Sequence, residues 1–135
     1  MDGCVFCKII KGKISADKIY EDENYLAFLD ITPINPGHTL LIPKAHYKNL
    51  YETPDEVLSG IAPLIKKIAA AIKQVTNANG INIGMNNEVA AGQIIPHVHF
   101  HIIPRFANDG YRHWRGKPYS AGQAAQTAVQ IKKFL

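Results

Sequence analysis

The sequence predicts an α+β fold in which five short strands form a mostly antiparallel sheet, with one long helix and short terminal helices. Three observations lead to this prediction. Short apolar or alternating segments recur, turn-forming residues separate them, and one longer segment has apolar residues at helical spacing. Because the strands outnumber the helices and short turns join them, the pattern favours an antiparallel sheet.

The predicted strands are bounded by Gly, Pro, Asn and Asp. They cover residues 18–21, 25–29, 38–43, 81–86 and 97–103. Asp22, Glu23 and Asn24 predict a hairpin turn between the first two strands. Residues 32–37 hold two prolines and a glycine and predict a loop. Pro104 is expected to end the last strand.

A long helix is predicted over residues 57–75. Residues 53–56 read as a capping box with proline at the first helical position. Apolar residues then recur at helical spacing at Val57, Ile61, Leu64, Ile65, Ile68, Ile72 and Val75. Pro63 is expected to kink this helix, and residues 79–80 to end it. A second helix is predicted over residues 121–134.

Length and composition indicate one globular domain, formed by residues 1–105, with residues 106–135 as an extension packed on it. The 135 residues are 47% apolar and 19% charged, enough for a core without disulfides. No apolar run approaches the roughly 20 residues of a membrane helix, and no signal peptide is visible. We therefore expect a cytoplasmic protein without a membrane segment. The net charge of +4 suits an anionic ligand but not a nucleic-acid-binding surface.

Three histidines, His97, His99 and His101, alternate with apolar residues. Alternate residues of a strand share a face, so the pattern predicts three rings on one face and a core on the other. Zinc binding is one functional reading. Nucleophilic catalysis at phosphorus is the other, because a ring with an ordinary pKa of about 6.5 is mostly neutral at pH 7. The polar loop at residues 86–93 favours catalysis, since such loops direct backbone N–H groups at phosphates.

Residues 92–103 resemble the signature of the histidine-triad (HIT) family. Residues 6–10, 28–33 and 37–44 are similar to the Hint branch of that family, and the resemblance extends from about residue 4 to residue 105. It implies a homodimeric hydrolase or transferase that cleaves the α-phosphate bond of purine nucleoside phosphoramidates or related conjugates. A dinucleoside polyphosphate hydrolase and a nucleotide-binding scaffold with little turnover stay open as alternatives.

The resemblance implies roles for individual residues. His99 matches the family nucleophile, and the carbonyl of His97 matches the acceptor that orients it. His38 and His101 match the histidines that contact the phosphate and the leaving group. The residues expected around the nucleotide are Phe6, Ile9, Ile14, Phe28 and Ile31 at the base, Asp30 at the ribose, and Asn86, Gly92 and Gln93 at the phosphate. Core packing is the alternative reading for the apolar residues, and turn formation for Asp30.

Ile94 departs from the family pattern. Many members carry Ser or Thr at this position, whose hydroxyl reaches the phosphate or the leaving group. The departure removes a donor and leaves the nucleophile in place, so it bears on leaving-group preference and turnover.

Both cysteines, Cys4 and Cys7, lie in the first seven residues. Alone, the C-x-x-C spacing indicates half a metal site, a redox pair or two free thiols. Some bacterial members of the HIT family bind a structural zinc through such a pair and two histidines. The resemblance therefore suggests a closed zinc site of Cys4, Cys7, His46 and His97, with no organic cofactor.

Overall fold

Five antiparallel strands form one sheet within residues 3–135, which are the residues that the computed structural model describes. The predicted α+β class is confirmed. The strands are β1 (Lys18–Glu21), β2 (Tyr25–Leu29), β3 (Thr39–Pro43), β4 (Gly80–Gly84) and β5 (Phe100–Arg105), in the spatial order β1-β2-β3-β5-β4. The helices are α1 (Val5–Ile10), α2 (Asp55–Ser59), α3 (Ile61–Thr76) and α4 (Gln123–Lys132).

Apolar residues cover both faces of the sheet, because β2 and β3 are apolar at nearly every position. Helix α1 packs on one face, where the buried residues are Cys4, Phe6, Cys7, Ile9, Leu26, Phe28, Leu40 and Ile42. Helix α3 packs on the other face, where they are Ala27, Leu41, Ile61, Ile68, Ile72 and Ile102. His101 lies on the α1 face, since it pairs with Leu40. The sheet face that carries His101 therefore also has a buried apolar core, whereas the sequence predicted a core on the opposite face.

The histidine segment is not a strand throughout. The backbone N–H of Val98 donates to the Tyr47 carbonyl at 2.8 Å, which draws this part of the chain away from the ladder. Strand β5 begins only at Phe100, so His101 is a strand residue, while His97 and His99 precede the strand. The predicted strand was wrong for those two residues, but their rings lie on the same α1 face as His101, since both pack against Phe6.

Pro104 lies inside β5 instead of ending it. Pairing with β3 stops at Ile102, whereas pairing with β4 continues to Arg105. The proline therefore falls where one side of the strand is already unpaired, which is the position a sheet tolerates.

The predicted long helix is divided into α2 and α3 at Gly60. The Tyr25 hydroxyl donates to the Val57 carbonyl at 2.6 Å, and a Cβ at Gly60 would overlap the Tyr25 side chain. Pro63 consequently lies in the first turn of α3, where a missing N–H removes no intrahelical bond. The predicted kink at Pro63 was wrong for this reason.

The ends of these helices also differ from the prediction. The Thr53 hydroxyl donates to the Asn49 carbonyl at 2.8 Å, so the capping box does not form. Pro54 is instead the N-cap, without a side-chain capping bond. Asn77 adopts the left-handed conformation with φ 56° and ends α3 before residues 79–80 are reached.

Gly60→Ala is expected to destabilise the protein by about 1–3 kcal/mol, because the new methyl group meets a tyrosine held by its own hydrogen bond. Urea unfolding measures the change. Gly80→Ala is the matched control, since its Cβ would meet no atom within 4 Å. Equal stability of the two variants would contradict the close approach of Tyr25 to Gly60.

The C-terminal extension continues past β5 as a loop and ends in α4, which is shorter than predicted. None of the residues of α4 is buried. Packing of the whole segment 106–135 on the domain therefore stays a prediction. Within residues 3–135, no helix combines the length and apolarity that crossing a bilayer requires.

Candidate active site and metal centre

The His99 ring is held in one tautomer. Its Nδ1 donates to the His97 carbonyl at 2.7 Å, and a carbonyl oxygen can only accept. The neutral ring therefore carries its hydrogen on Nδ1 and a lone pair on Nε2. The edge of the Phe6 ring packs against it at 5.2 Å between centroids, and only 6% of His99 is exposed. Burial lowers the pKa of His99, so the ring is neutral at pH 7.

His38 and His101 form a hydrogen-bonded pair next to His99. The Ile34 N–H donates to His38 Nδ1 at 3.1 Å, so neutral His38 carries its hydrogen on Nε2. That nitrogen lies 2.9 Å from His101 Nδ1 and donates to it. His101 is thereby left with a hydrogen on its own Nε2. Since the His99 and His101 rings lie 5.0 Å apart, a ring that carries a hydrogen on Nε2 lies beside a ring with a lone pair on Nε2.

The pKa of His101 is lowered to about 4 by burial, with smaller contributions from His99 and His38. The unfolded chain therefore binds a proton that the folded protein does not, between about pH 6.5 and 4. We expect the free energy of unfolding to fall as the pH drops through this window. His101→Gln should flatten the slope in urea titrations, whereas His113→Gln, which changes an exposed ring, should not. An unchanged slope in His101→Gln would contradict the assigned pKa shift.

Asp30 has one oxygen in a turn and one facing the histidines. Its Oδ1 accepts from the Thr32 N–H at 2.9 Å, which is the predicted turn-forming role. Its Oδ2 lies 3.7 Å from His38 Nε2. The carboxylate is partly buried, and contact with a ribose stays a prediction.

The predicted base-binding residues divide into two groups. Phe6, Ile9 and Phe28 are buried in the α1 core, which is the packing role that the sequence left open. Ile14 and Ile31 are 37% and 91% exposed, so their apolar side chains are accessible, and contact with a base stays a prediction.

The side chain of Gln93 holds the loop at residues 86–93 in place through hydrogen bonds to the backbone. Its amide nitrogen donates to the Lys48 and Ile95 carbonyls at 2.6 and 3.1 Å, and its oxygen accepts from the Glu88 N–H at 2.8 Å. Both amide hydrogens are therefore used within the protein. A phosphate contact from Gln93 stays a prediction and would require one of these bonds to break.

The same loop contains unusual backbone geometry. Glu88 has φ 73° and ψ 160°, a region that non-glycine residues rarely occupy. Gly92 has φ 94°, and the Asn86 amide lies 3.5 Å from its carbonyl. Ile94 is 88% exposed, so the departure from the family pattern leaves an apolar side chain on the loop surface.

The four predicted zinc ligands converge. The sulfur atoms of Cys4 and Cys7 and the Nδ1 atoms of His46 and His97 all lie within 4.8 Å of one another. The shortest separations are 3.1 Å between the two Nδ1 atoms and 3.3 Å between Cys7 Sγ and His46 Nδ1. Cys4, Cys7 and His97 are buried and His46 is half-buried. Two thiols and two imidazoles are the donor set of a closed structural zinc site.

The orientation of His97 fits metal binding. Its Nε2 donates to the Pro43 carbonyl at 2.8 Å, which leaves Nδ1 unprotonated and facing the cysteines. Such a carbonyl partner is usual for a histidine ligand. Burial lowers the pKa of His97 to about 4, so the ring is neutral. Because His97, His99 and His101 direct their Nδ1 atoms to different partners, these atoms do not converge on one shared metal.

Several groups in this site are backbone atoms that sequence reasoning did not identify. The Ile34 N–H and the Pro43 carbonyl set the tautomers of His38 and His97. Every residue has these groups, so no side-chain pattern reveals them.

Comparison with known proteins identifies the family. The family model of the HIT domain matches residues 11–108. The chain belongs to the HIT family. An uncharacterised HIT-like protein from Methanocaldococcus jannaschii is 51% identical over 107 residues, which are 79% of this chain and 82% of that protein. An adenosine 5'-monophosphoramidase from Schizosaccharomyces pombe is 46% identical over 102 residues, 76% of this chain and 74% of the yeast protein. An adenylylsulfatase from Arabidopsis thaliana is 46% identical over 106 residues, which are 78% of this chain and 54% of the plant protein.

Solved structures of HIT proteins have the same fold. A HIT family protein from Bacillus anthracis superposes with a TM-score of 0.91 at 40% identity, covering 99% of this chain and 98% of its own. A zinc-bound histidine triad family protein from Mycobacterium smegmatis has a TM-score of 0.78 at 38% identity, and 99% of both chains is covered. The family and its fold are thus established for this chain, and relatives in the family carry the names adenosine 5'-monophosphoramidase and adenylylsulfatase.

Proposed function

We propose that this HIT protein cleaves the α-phosphate bond of purine nucleoside phosphoramidates or related conjugates through a nucleotidyl-His99 intermediate. The supporting observation is the bond from His99 Nδ1 to the His97 carbonyl, which leaves Nε2 as a neutral nucleophile in a buried setting. The relatives named adenosine 5'-monophosphoramidase and adenylylsulfatase act on adenylyl compounds with different leaving groups, which agrees with chemistry centred on the α-phosphorus.

In the first step, the lone pair of His99 Nε2 forms a bond to the α-phosphorus while the bond from phosphorus to the leaving amine breaks. The ring becomes cationic, and the His97 carbonyl stabilises it through the Nδ1 hydrogen. The leaving amine takes up one proton from solvent as it departs, so that it leaves as neutral ammonia.

In the second step, water attacks the phosphorus, the bond to Nε2 breaks, and the attacking water releases one proton to solvent, which offsets the proton taken up in the first step. A nucleoside monophosphate is released, and His99 returns to its neutral form. His101, with its hydrogen on Nε2, donates to a phosphate oxygen or to the leaving group in both steps. His38 keeps His101 in that tautomer.

The nucleotide occupies the surface near the histidines. Ile14 and Ile31 contact the base, Asp30 contacts the ribose, and Asn86 and Gly92 lie at the phosphate. Exposed Ile94 adds an apolar contact on the leaving-group side in place of a hydroxyl donor.

A zinc ion held by Cys4, Cys7, His46 and His97 has a structural role in this proposal. Four protein ligands leave no position for a substrate water, so the ion supplies no reacting group. It joins the N-terminal segment to His97, whose carbonyl orients the nucleophile.

The proposal includes a homodimer. Strand β4 lies at the edge of the sheet, Val75 on α3 is 82% exposed, and α4 buries no residue within one chain. A second copy would cover such surfaces. Light scattering should give about twice the chain mass of 14.9 kDa, and a mass near that of one chain would contradict the dimer.

A substrate panel tests the function. Adenosine 5'-phosphoramidate should yield adenosine monophosphate and ammonia, and rapid acid quenching should trap an adenylyl group on His99, detected by peptide mass spectrometry. Diadenosine polyphosphates and guanosine analogues vary the leaving group and the base separately. Product without a trappable adduct would overturn the covalent mechanism, and binding without product would favour the scaffold reading.

A further inference from the structure

The carboxylate of Asp109 accepts five hydrogen bonds outside the site described above. Arg105 donates from Nε at 2.7 Å and from Nη2 at 3.0 Å. The backbone N–H groups of Phe106 and Tyr111 donate at 3.0 and 3.1 Å, and the Asn35 amide donates at 3.0 Å. The Asp109 side chain is only 6% exposed. Four of these bonds close the loop that follows β5, and the fifth reaches a distant part of the chain.

That fifth bond connects Asp109 to the loop that carries His38. The Asn35 amide nitrogen donates both to Asp109 Oδ2 and to the Pro104 carbonyl at 2.9 Å, so both of its hydrogens are used. The Asn35 carbonyl accepts from the His38 N–H at 3.0 Å. One residue earlier, the Ile34 N–H donates to His38 Nδ1. Pro104 and Asp109, which lie outside the turn at residues 34–38, thus fix the side chain of Asn35. The backbone of that same turn sets the tautomer of His38.

We infer that Asp109 is a positioning residue for the histidine pair: through Asn35 it holds residues 34–38 in the conformation that keeps the hydrogen of His38 on Nε2, facing His101. The Asn35 amide is anchored twice, to the Pro104 carbonyl on β5 and to Asp109, and these bonds restrain the loop that carries the Ile34 N–H. The link to turnover rests on the proposed function, whereas the link to the tautomer does not.

A purely structural role for Asp109 is the competing explanation. Asp22 provides a matched case, because its carboxylate accepts from the Asn24 and Tyr25 N–H groups and from the Tyr20 hydroxyl at 2.6–2.8 Å in the β1–β2 hairpin. Asp22 and Asp109 both close a turn with several bonds. Only Asp109 is connected to the loop of His38.

The test compares Asp109→Asn, Asn35→Ala and Asp22→Asn in the full chain. Nitrogen-15 spectra of the histidine rings report the tautomer, and steady-state kinetics with adenosine 5'-phosphoramidate separate kcat from KM. Asp109→Asn and Asn35→Ala should mix the two tautomers of His38 and lower kcat roughly 10- to 100-fold with little change in KM. Asp22→Asn should lower Tm and leave both the His38 signals and kcat unchanged.

Asn35→Ala keeps the Arg105–Asp109 pair, so it reports on the connection even if Asp109→Asn fails to fold. A wild-type His38 tautomer in Asn35→Ala would overturn the inference. If the wild-type protein does not turn over the substrate, the proposed function fails, and the ring spectra still decide the positioning role.

Discussion

His99→Ala is expected to lower kcat for adenosine 5'-phosphoramidate by at least about 10³-fold, because the variant has no atom that can form the covalent bond to phosphorus. The hydrogen bond from His99 Nδ1 to the His97 carbonyl gives this expectation its structural basis, since it leaves the unprotonated nitrogen on the other side of the ring. Rapid-quench kinetics and mass spectrometry of the trapped adduct measure the loss directly. The loss should appear in kcat, while the KM for the nucleotide changes little.

The control for this experiment is His113→Ala, which removes an exposed histidine of the C-terminal extension. It should retain wild-type activity and adduct formation. Because His99 is nearly buried, its replacement leaves a cavity, so circular dichroism should establish that the variant remains folded. A folded His99→Ala protein that still forms an adduct would show that another side chain is the nucleophile.

The sequence predicted those features of the fold that depend on local patterns. The bounds of β1 and β2 were correct, because a polar turn separates two apolar segments and Asp22 caps that turn. The convergence of His97 with two cysteines more than 89 residues away was suggested by the family resemblance. No spacing argument brings such distant residues together.

The predictions that failed depend on tertiary contacts. Helical periodicity continues through Gly60, but the Tyr25 hydroxyl donates to the Val57 carbonyl, which in a continuous helix would accept from the Ile61 N–H. Strand alternation continues through His97 and His99, but a bond from Val98 to Tyr47 removes that segment from the sheet. The periodicity of a segment carries no information about side chains or backbone groups of other elements that contact it. Both wrong predictions therefore lie where such a tertiary contact decides the conformation.

Loss of the proposed zinc site should have the second large effect. Cys7→Ser is expected to abolish zinc binding and to destabilise the protein by about 3 kcal/mol or more, which corresponds to a decrease in Tm of roughly 10 °C. Without an ion, burial and the Cys4 thiol raise the pKa of the Cys7 thiol, and a protonated cluster lacks the bonds that join α1 to His46 and His97. Metal analysis of the purified protein and thermal unfolding with and without a chelator measure both effects.

His46→Gln and His113→Gln form the matched pair for this prediction, since the first removes a half-buried proposed ligand and the second an exposed ring. Only His46→Gln should lose zinc and stability. Zinc that persists in Cys7→Ser but disappears in His101→Gln would place the metal among the catalytic histidines instead.

Because the His97 ring faces the cluster while its carbonyl accepts from His99, chelation should also decrease kcat in the wild-type protein. A chelated protein that lost zinc and stability but kept full kcat would show that the His97 carbonyl holds the nucleophile without help from the metal.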